Sequence, residues 1–380
     1  MSRPADRNEV GAACIGDKYL ETRSFGSLDG LRALSIIGVV WFHATNDVPG
    51  WPALRRGFLG VDFFFIISGF LITTLILRER RNSGAISLRN FYARRFLRIV
   101  PAFWLMLLVA GCIAYLKPGD GSSAIKREIP YALFYISNFV PMVSLLSITW
   151  SLSAEEQFYL VVPPLQKWLP RLLPLVLLPL AYLLAILPPF GVFPIVHMPE
   201  FFRQTTFGPI LLGVMLAYLL DHPRSRARVL VLFGHPLSPM LALALVALTC
   251  SYSGADISGW PRLAIQWSLL LLLASCVVRE RHVLVRALSW WPIRRIGIVS
   301  YGIYLYHLLA YWPVSRLLEH LGIHSGYALF AGVLGLAWFL AELSYRLLEL
   351  RFLKLKGKFT AVQSRTRFPV AAPAGSAQPD

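Results

Sequence analysis

The chain has 380 residues, of which 56% are hydrophobic and only 15% charged, and its mean hydropathy is +0.58. Soluble domains carry about 25% charged residues, so this composition excludes a soluble globular fold and points to an all-α, polytopic integral membrane bundle. A net charge of +17 invites a nucleic-acid partner. However, the lysines and arginines sit in short segments between apolar runs, which is the pattern of membrane topology rather than of a nucleic-acid footprint. The four cysteines, Cys14, Cys112, Cys250 and Cys276, form no CxxC pair, so neither a disulfide framework nor a metal site is expected.

Residues 1–27 are polar and lack the apolar core of a signal peptide. They are expected to form a cytosolic tail, with the first span acting as its own targeting signal. That span is contained in LDGLRALSIIGVVWFHA, residues 28–44. Asp29 and Arg32 are helical neighbours. Arg32 and His43 are eleven residues apart, which returns to within about 20° of one direction and separates them by roughly 16 Å along a helix axis. Ionisable groups that persist in hydrocarbon usually face a bundle interior or an aqueous cavity. Taken alone, the helix also fits an arginine marking its cytosolic end and a hydrogen-bonded interfacial histidine.

A second span is expected over residues 57–77, with Asp62 inside it, structural and paired to an arginine. The segment from Arg78 to Arg98 holds seven arginines and one glutamate. Its centre, LRNFYARRFLRIV, reads as an amphipathic helix on a membrane surface or as a plain basic loop. A third span follows Pro101, then a polar loop over 117–129. Residues 131–149 are apolar but interrupted by Asn138 and Pro141. TWSLSAEEQFYLVVPPL, residues 149–165, places Glu155 and Glu156 at the head of a span. Further apolar runs cover about 172–189, 206–220, 229–252, 263–278, 297–318 and 327–350. Pro236 should break the 229–252 run. Residues 354–380 are basic, then Pro- and Ala-rich, and are expected to be a disordered cytosolic tail.

The lysines and arginines orient these spans. Ten spans with both termini cytosolic, and a re-entrant segment over 131–149, put most of the 37 basic residues on the cytosolic side. Irregular backbone at that depth requires protein cover or a cavity. His43, Asp62, Glu155 and Glu156 then share the outer half of the membrane. A histidine and carboxylates at one depth form a candidate acid–base site: a neutral imidazole can take a hydroxyl proton and a carboxylate can hold the resulting charge. The two glutamates equally suit a helix N-terminus. His307, in YGIYLYHLLAYW, is crowded by Tyr301, Tyr304 and Tyr306 and suits a wall of such a site. Glu342, Arg346 and Glu349 recur at helical spacing and are expected to pair with one another.

Five blocks in order resemble the acyltransferase 3 family of membrane O-acyltransferases, the O-antigen, exopolysaccharide and peptidoglycan O-acetylase type. They are LDGLRALSIIGVVWFH (28–43), GVDFFFIISGFLIT (60–73), FYARRFLRIVPAFW (91–104), TWSLSAEEQFYLVVP (149–163) and VSYGIYLYH (299–307). A sixth, SYRLLELRF (344–352), departs from the pattern, with Arg351 where a proline is usual. The resemblance covers about 28–353, the expected membrane acyltransferase domain. It implies transfer of an acyl group, usually acetyl, from acyl-CoA to a hydroxyl of a cell-surface or exported glycan or glycolipid. No permanently bound cofactor is implied, and acetyl-CoA would be a co-substrate.

Carried over residue by residue, the resemblance makes His43 the catalytic base with Glu155 beside it, and makes Arg32, Arg95 and Arg98 donor-binding. Asp29, Asp62, Trp150, Tyr306 and His307 are supporting. The expected partners are acyl-CoA, the glycan or glycolipid acceptor and the lipid bilayer, in a bacterial inner membrane. No fused esterase domain follows, so a stand-alone enzyme is expected. The competing reading is a proton-coupled transporter or a glycan or lipid flippase using His43 and the carboxylates as a relay.

Overall fold

The computed structural model describes residues 19–20, 22, 25–45, 52–117, 119–186, 207–254, 257 and 259–359. Most of the expected N-terminal tail, Cys14, and the tail beyond 359 lie outside the described residues. Among those described, every regular element is a helix. In chain order the longer ones are α1 Leu28–Ala44, α2 Gly60–Ser83, α3 Leu88–Leu116, α4 Asp120–Leu133, α5 Thr149–Trp168, α6 Leu178–Ile186, α7 Gly208–Asp221, α8 Pro223–Phe233, α9 Ser238–Cys250, α10 Trp260–Val278, α11 Trp291–Ile298, α12 Ser300–His320, α13 Gly326–Ser344 and α14 Leu350–Leu355.

Among the described residues, four helical stretches are long and apolar enough to cross a membrane: Gly57–Ser83, Leu88–Leu116, Trp260–Val278 and Gly326–Phe359. Helices α8 and α9 make a fifth if taken as one span, bent by 78° at the break that holds Pro236. The other apolar runs fall short for identifiable reasons. Helix α1 has 17 residues and α7 has 14, against about 20 for a full crossing. Helix α5 is long enough but carries Glu155, Glu156 and Lys167.

Two expectations are corrected. The basic block is not a separate surface helix. Ser87 accepts a hydrogen bond from the Asn90 N–H and caps a single helix that runs through Pro101 to Leu116. LRNFYARRFLRIV is therefore the first half of α3, with Phe91 and Ile99 buried and Arg94, Arg95 and Arg98 half-buried. The polar stretch 117–129 is not a loop, because most of it lies in α4. Glu128 on α4 is buried and accepts from the backbone N–H groups of Val143 and Ser144 and from the Ser144 hydroxyl. That carboxylate holds down the irregular segment between α4 and α5. Asn138 and Gln157 exchange amide hydrogen bonds (3.0 and 2.9 Å) and Ser137 bonds Ser153 (2.7 Å), so α5 supplies the polar cover that irregular backbone needs.

Helices α2 and α7 run parallel with their backbones in contact. A Cβ on Gly213 would lie 2.0 Å from the Ile66 carbonyl oxygen, and further along Arg81 pairs with Asp221. Small residues allow such close approach between apolar helices, where dispersion rather than water drives association. Helix α1 packs antiparallel against the start of α2: a Cβ on Gly60 would lie 2.2 Å from the Ser35 carbonyl, at the middle of α1. The start of α2 thus sits well below His43 rather than level with it.

Candidate functional site

Helix α1 carries the two ends of the site. At its first turn, Asp29 lies 4.0 Å from Arg32 and 3.6 Å from Arg294 of α11. Arg32 is half-buried and meets Arg95 and Arg98 of α3, close enough for mutual repulsion. Arg95 lies over the ring of Tyr159, 4.9 Å from its centroid. Among the described residues neither Arg95 nor Arg98 makes an ion pair or donates a hydrogen bond. Arg94, by contrast, is fully engaged, pairing with buried Glu79 (2.9 Å) and donating to the Phe359 carbonyl (2.6 Å). Lys356, in the turn after α14, lies beside the same arginines. Arg32, Arg95 and Arg98 thus gather guanidinium groups in one place, and such groups can bind oxyanions bidentately.

At the other end of α1, His43 Nδ1 donates to the Val39 carbonyl at 2.9 Å. Its ring faces that of His307 on α12, with centroids 4.9 Å apart. His307 is buried, and its Nδ1 donates to the Tyr304 carbonyl at 2.6 Å. The Tyr304 hydroxyl donates to the Ile148 carbonyl (2.9 Å) and lies 2.6 Å from Ser151 Oγ.

Helix α5 joins the two ends. Ser151, Glu155 and Tyr159 recur at four-residue spacing and so share one face. Ser151 meets Tyr304, Glu155 accepts from Ser68 and Tyr159, and Tyr159 lies beneath Arg95. This polar stripe spans roughly 12 Å at 1.5 Å per residue. It leads from the histidines towards the arginines.

The remaining expected site residues are placed as follows. Glu155 is not hydrogen-bonded to His43; it lies one turn further along α5, and its field reaches Arg32. The partner that sequence reasoning gave His43 is thus replaced by His307. Asp62 faces away from both ends: it accepts a bidentate pair from Arg262 (2.8 and 3.2 Å) and a bond from Gln266 (3.0 Å), all three buried. Trp150 is half-buried with its ring edge-on to Phe65. The Tyr306 hydroxyl bonds Ser344 (2.9 Å) and the Ala102 carbonyl (3.4 Å), tying α12 to α13 and α3. Glu342 does pair with Arg346 (2.5 Å) but is held chiefly by a bidentate pair from Arg295. Glu349 lies 3.4 Å from Ser344 Oγ and joins neither. Ser68, Ser151 and Tyr159 were not anticipated, although the four-residue recurrence of Ser151, Glu155 and Tyr159 is a readable signal.

The family described as an acyltransferase domain matches residues 25–342. The chain is 28% identical over 357 residues to the peptidoglycan O-acetyltransferase OatA of Listeria monocytogenes (strain EGD-e), covering 85% of this chain and 55% of that protein. It is 27% identical over 359 residues to the O-acetyltransferase OatA of Staphylococcus aureus (strain NCTC 8325), covering 88% and 58%. The chain thus spans little more than half the length of these relatives. No solved structure matches it.

Proposed function

Because the chain belongs to the acyltransferase domain family, we propose that it transfers an acyl group, acetyl by analogy with its relatives' names, from acyl-CoA to a hydroxyl of a cell-surface or exported glycan or glycolipid. In this reading the chain crosses a bacterial cytoplasmic membrane ten times, with both termini in the cytosol. The domain is 28–353, the arginines face inward and the histidines outward. The observation that carries the reading is the polar stripe of α5, with a cluster of arginines at one end and an imidazole at the other. Arg32, Arg95 and Arg98 hold the donor's phosphates. The pantetheine arm follows the stripe, and the thioester reaches the level of His43.

His43 then acts as general base. Its Nδ1–H is committed to a carbonyl, which can only accept, so in the neutral ring Nε2 carries the free lone pair. That nitrogen takes the proton of the acceptor hydroxyl as its oxygen attacks the thioester carbonyl. Glu155 stands along the arm, and its charge is placed to orient Arg32 and Arg95 rather than the imidazole.

The test is acetyl-CoA consumption by purified protein in detergent or liposomes, with glycan fragments as acceptors. Transfer requires release of free CoA thiol that depends on His43. A transporter built on the same polar stripe would move its cargo without consuming acetyl-CoA.

A further inference from the structure

We infer that His43 and His307 act as one two-imidazole unit, in which His307 Nε2 receives the hydrogen bond of the imidazolium formed on His43. The inference rests on the acyl-transfer reading and gives His307 a task within it. Both rings are tethered in the same way, each donating Nδ1–H to a backbone carbonyl, Val39 for one and Tyr304 for the other. A carbonyl cannot donate, so both neutral rings leave Nε2 as a lone-pair nitrogen. His307 Nε2 is buried and has no hydrogen-bond partner. An orphaned acceptor in a packed core is costly, and a catalytic role is one explanation for such a group.

Two lone-pair nitrogens on rings 4.9 Å apart cannot bond each other. Once one of them gains a proton, they can. The second proton is opposed by the first charge, so the pair holds one. His43 is the ionisable group whose charge acts on His307. Tyr304 on the same helix also faces His307, ring to ring at 5.7 Å, with Ser151 of α5 behind it.

The step balances without any other reactant. The acceptor O–H breaks, its proton passes to His43 Nε2, and the acceptor oxygen forms the new C–O bond. The His43 N–H is held by His307 Nε2 while the C–S bond breaks. The proton then returns from His43 to the leaving thiolate, and both rings are neutral again. His307 is thus a positioning residue that stabilises charge on the base and does not itself touch the acceptor.

Three variants separate this role from packing. His307→Asn places its amide N–H where Nδ1 was and keeps the tether to Tyr304, but it has no group at the Nε2 position. His307→Gln places an amide there whose oxygen can accept. His43→Ala removes the base. In steady-state acetyl transfer, His307→Asn is expected to lose roughly ten- to a hundredfold in kcat, the worth of one hydrogen bond to a charged group, with KM for acetyl-CoA unchanged. Losing the acceptor disfavours charge on His43, so the acid limb of the kcat profile should move to lower pH. His307→Gln should recover much of the rate and return the limb towards its original position. Equal losses in both variants with an unmoved acid limb would make His307 a packing residue and overturn the inference, as would full activity of His307→Asn. Full activity of His43→Ala would instead overturn the acyl-transfer reading beneath it.

Discussion

His43 and His307 bring their imidazole rings to 4.9 Å from two helices far apart in the chain, α1 and α12. Glu155, the carboxylate that the order of residues suggests as the histidine's companion, is instead engaged by Ser68 and Tyr159 on the way to the arginines. The histidine end and the arginine end of the stripe are therefore apart, and under the proposed acyl transfer their contributions to turnover should separate too.

The double variant of His43 and Glu155 tests that separation. His43→Ala should lower kcat by about 10²–10⁴-fold, the usual worth of a general base, while leaving donor binding intact. Glu155→Gln should act mainly on the donor side. Effects within one catalytic unit are far from additive, whereas these two losses should multiply. A double variant no worse than His43→Ala alone, in stopped-assay CoA release, would unite the two residues after all.

Arg32→Lys keeps the charge but replaces a planar fork with a point charge. The expected result is a KM for acetyl-CoA raised about tenfold or less, with kcat nearly unchanged, because the proposed contact is with phosphates and not with the reacting carbonyl. Arg98→Lys should behave alike, since its guanidinium stands in the same cluster and, among the described residues, makes no ion pair. Initial-rate kinetics across acetyl-CoA concentrations decide this; a fall in kcat at constant KM would count against phosphate binding by these side chains.

Much of this was readable from residue order, and the failures share one cause. The placement of Arg32 and His43 at opposite ends of one helix face follows from helical periodicity alone, and the break at Pro236 follows from its missing N–H. Depth was harder. Counting from the ends of apolar runs puts Asp62 level with His43, but the close contact of Gly60 with Ser35 draws the start of α2 down to the middle of α1. The arginine expected to pair with Asp62 is identified only when α10 is seen to bury Arg262 against it. The continuity of α3 was hidden by Pro101, which suggests a boundary but lies inside a helix held by its neighbours. In each case tertiary packing supplied what local pattern could not. His307 shows it most directly: its own segment suits a wall of the site, and only packing brings its ring to that of His43.

The Asp62–Arg262 pair carries the third prediction. Both side chains are buried, at 1% and 6% exposure, and they bond bidentately with Gln266 as a third partner. Removing one member of a buried pair leaves a charge without compensation and typically costs about 3–5 kcal/mol, whereas replacing both with apolar residues is often close to neutral. Asp62→Leu should therefore sharply lower the melting temperature in detergent, and Asp62→Leu with Arg262→Leu should recover most of it. An Asp62→Leu protein that is stable but inactive would move this pair from scaffold to chemistry.

A pH-dependent clasp follows from His282, in the turn between α10 and α11. Its Nε2 lies 2.9 Å from Ser27 Oγ at the entry to α1, and burial holds the imidazole below its ordinary pKa. The unfolded chain takes up this proton near pH 6.5, while the folded chain resists it. Stability should be level above that pH and should fall as pH drops through it, because the unfolded state then binds more protons. His282→Gln should flatten that part of the curve. Thermal unfolding between about pH 8 and pH 5 gives the comparison, and identical slopes for both proteins would exclude the clasp.

The parallel contact of α2 with α7 also dictates an order of assembly. Parallel neighbours cannot form a simple hairpin, so the groove on α2 that receives Gly213 stays open until α3 to α6 have been made. At about 5–20 residues per second, that wait is on the order of ten seconds, with the backbone around Ile66 bare to lipid or to the insertion machinery. A chain truncated before Gly208 would keep that groove uncovered, and a ribosome stalled there would present it to whatever holds nascent membrane helices apart.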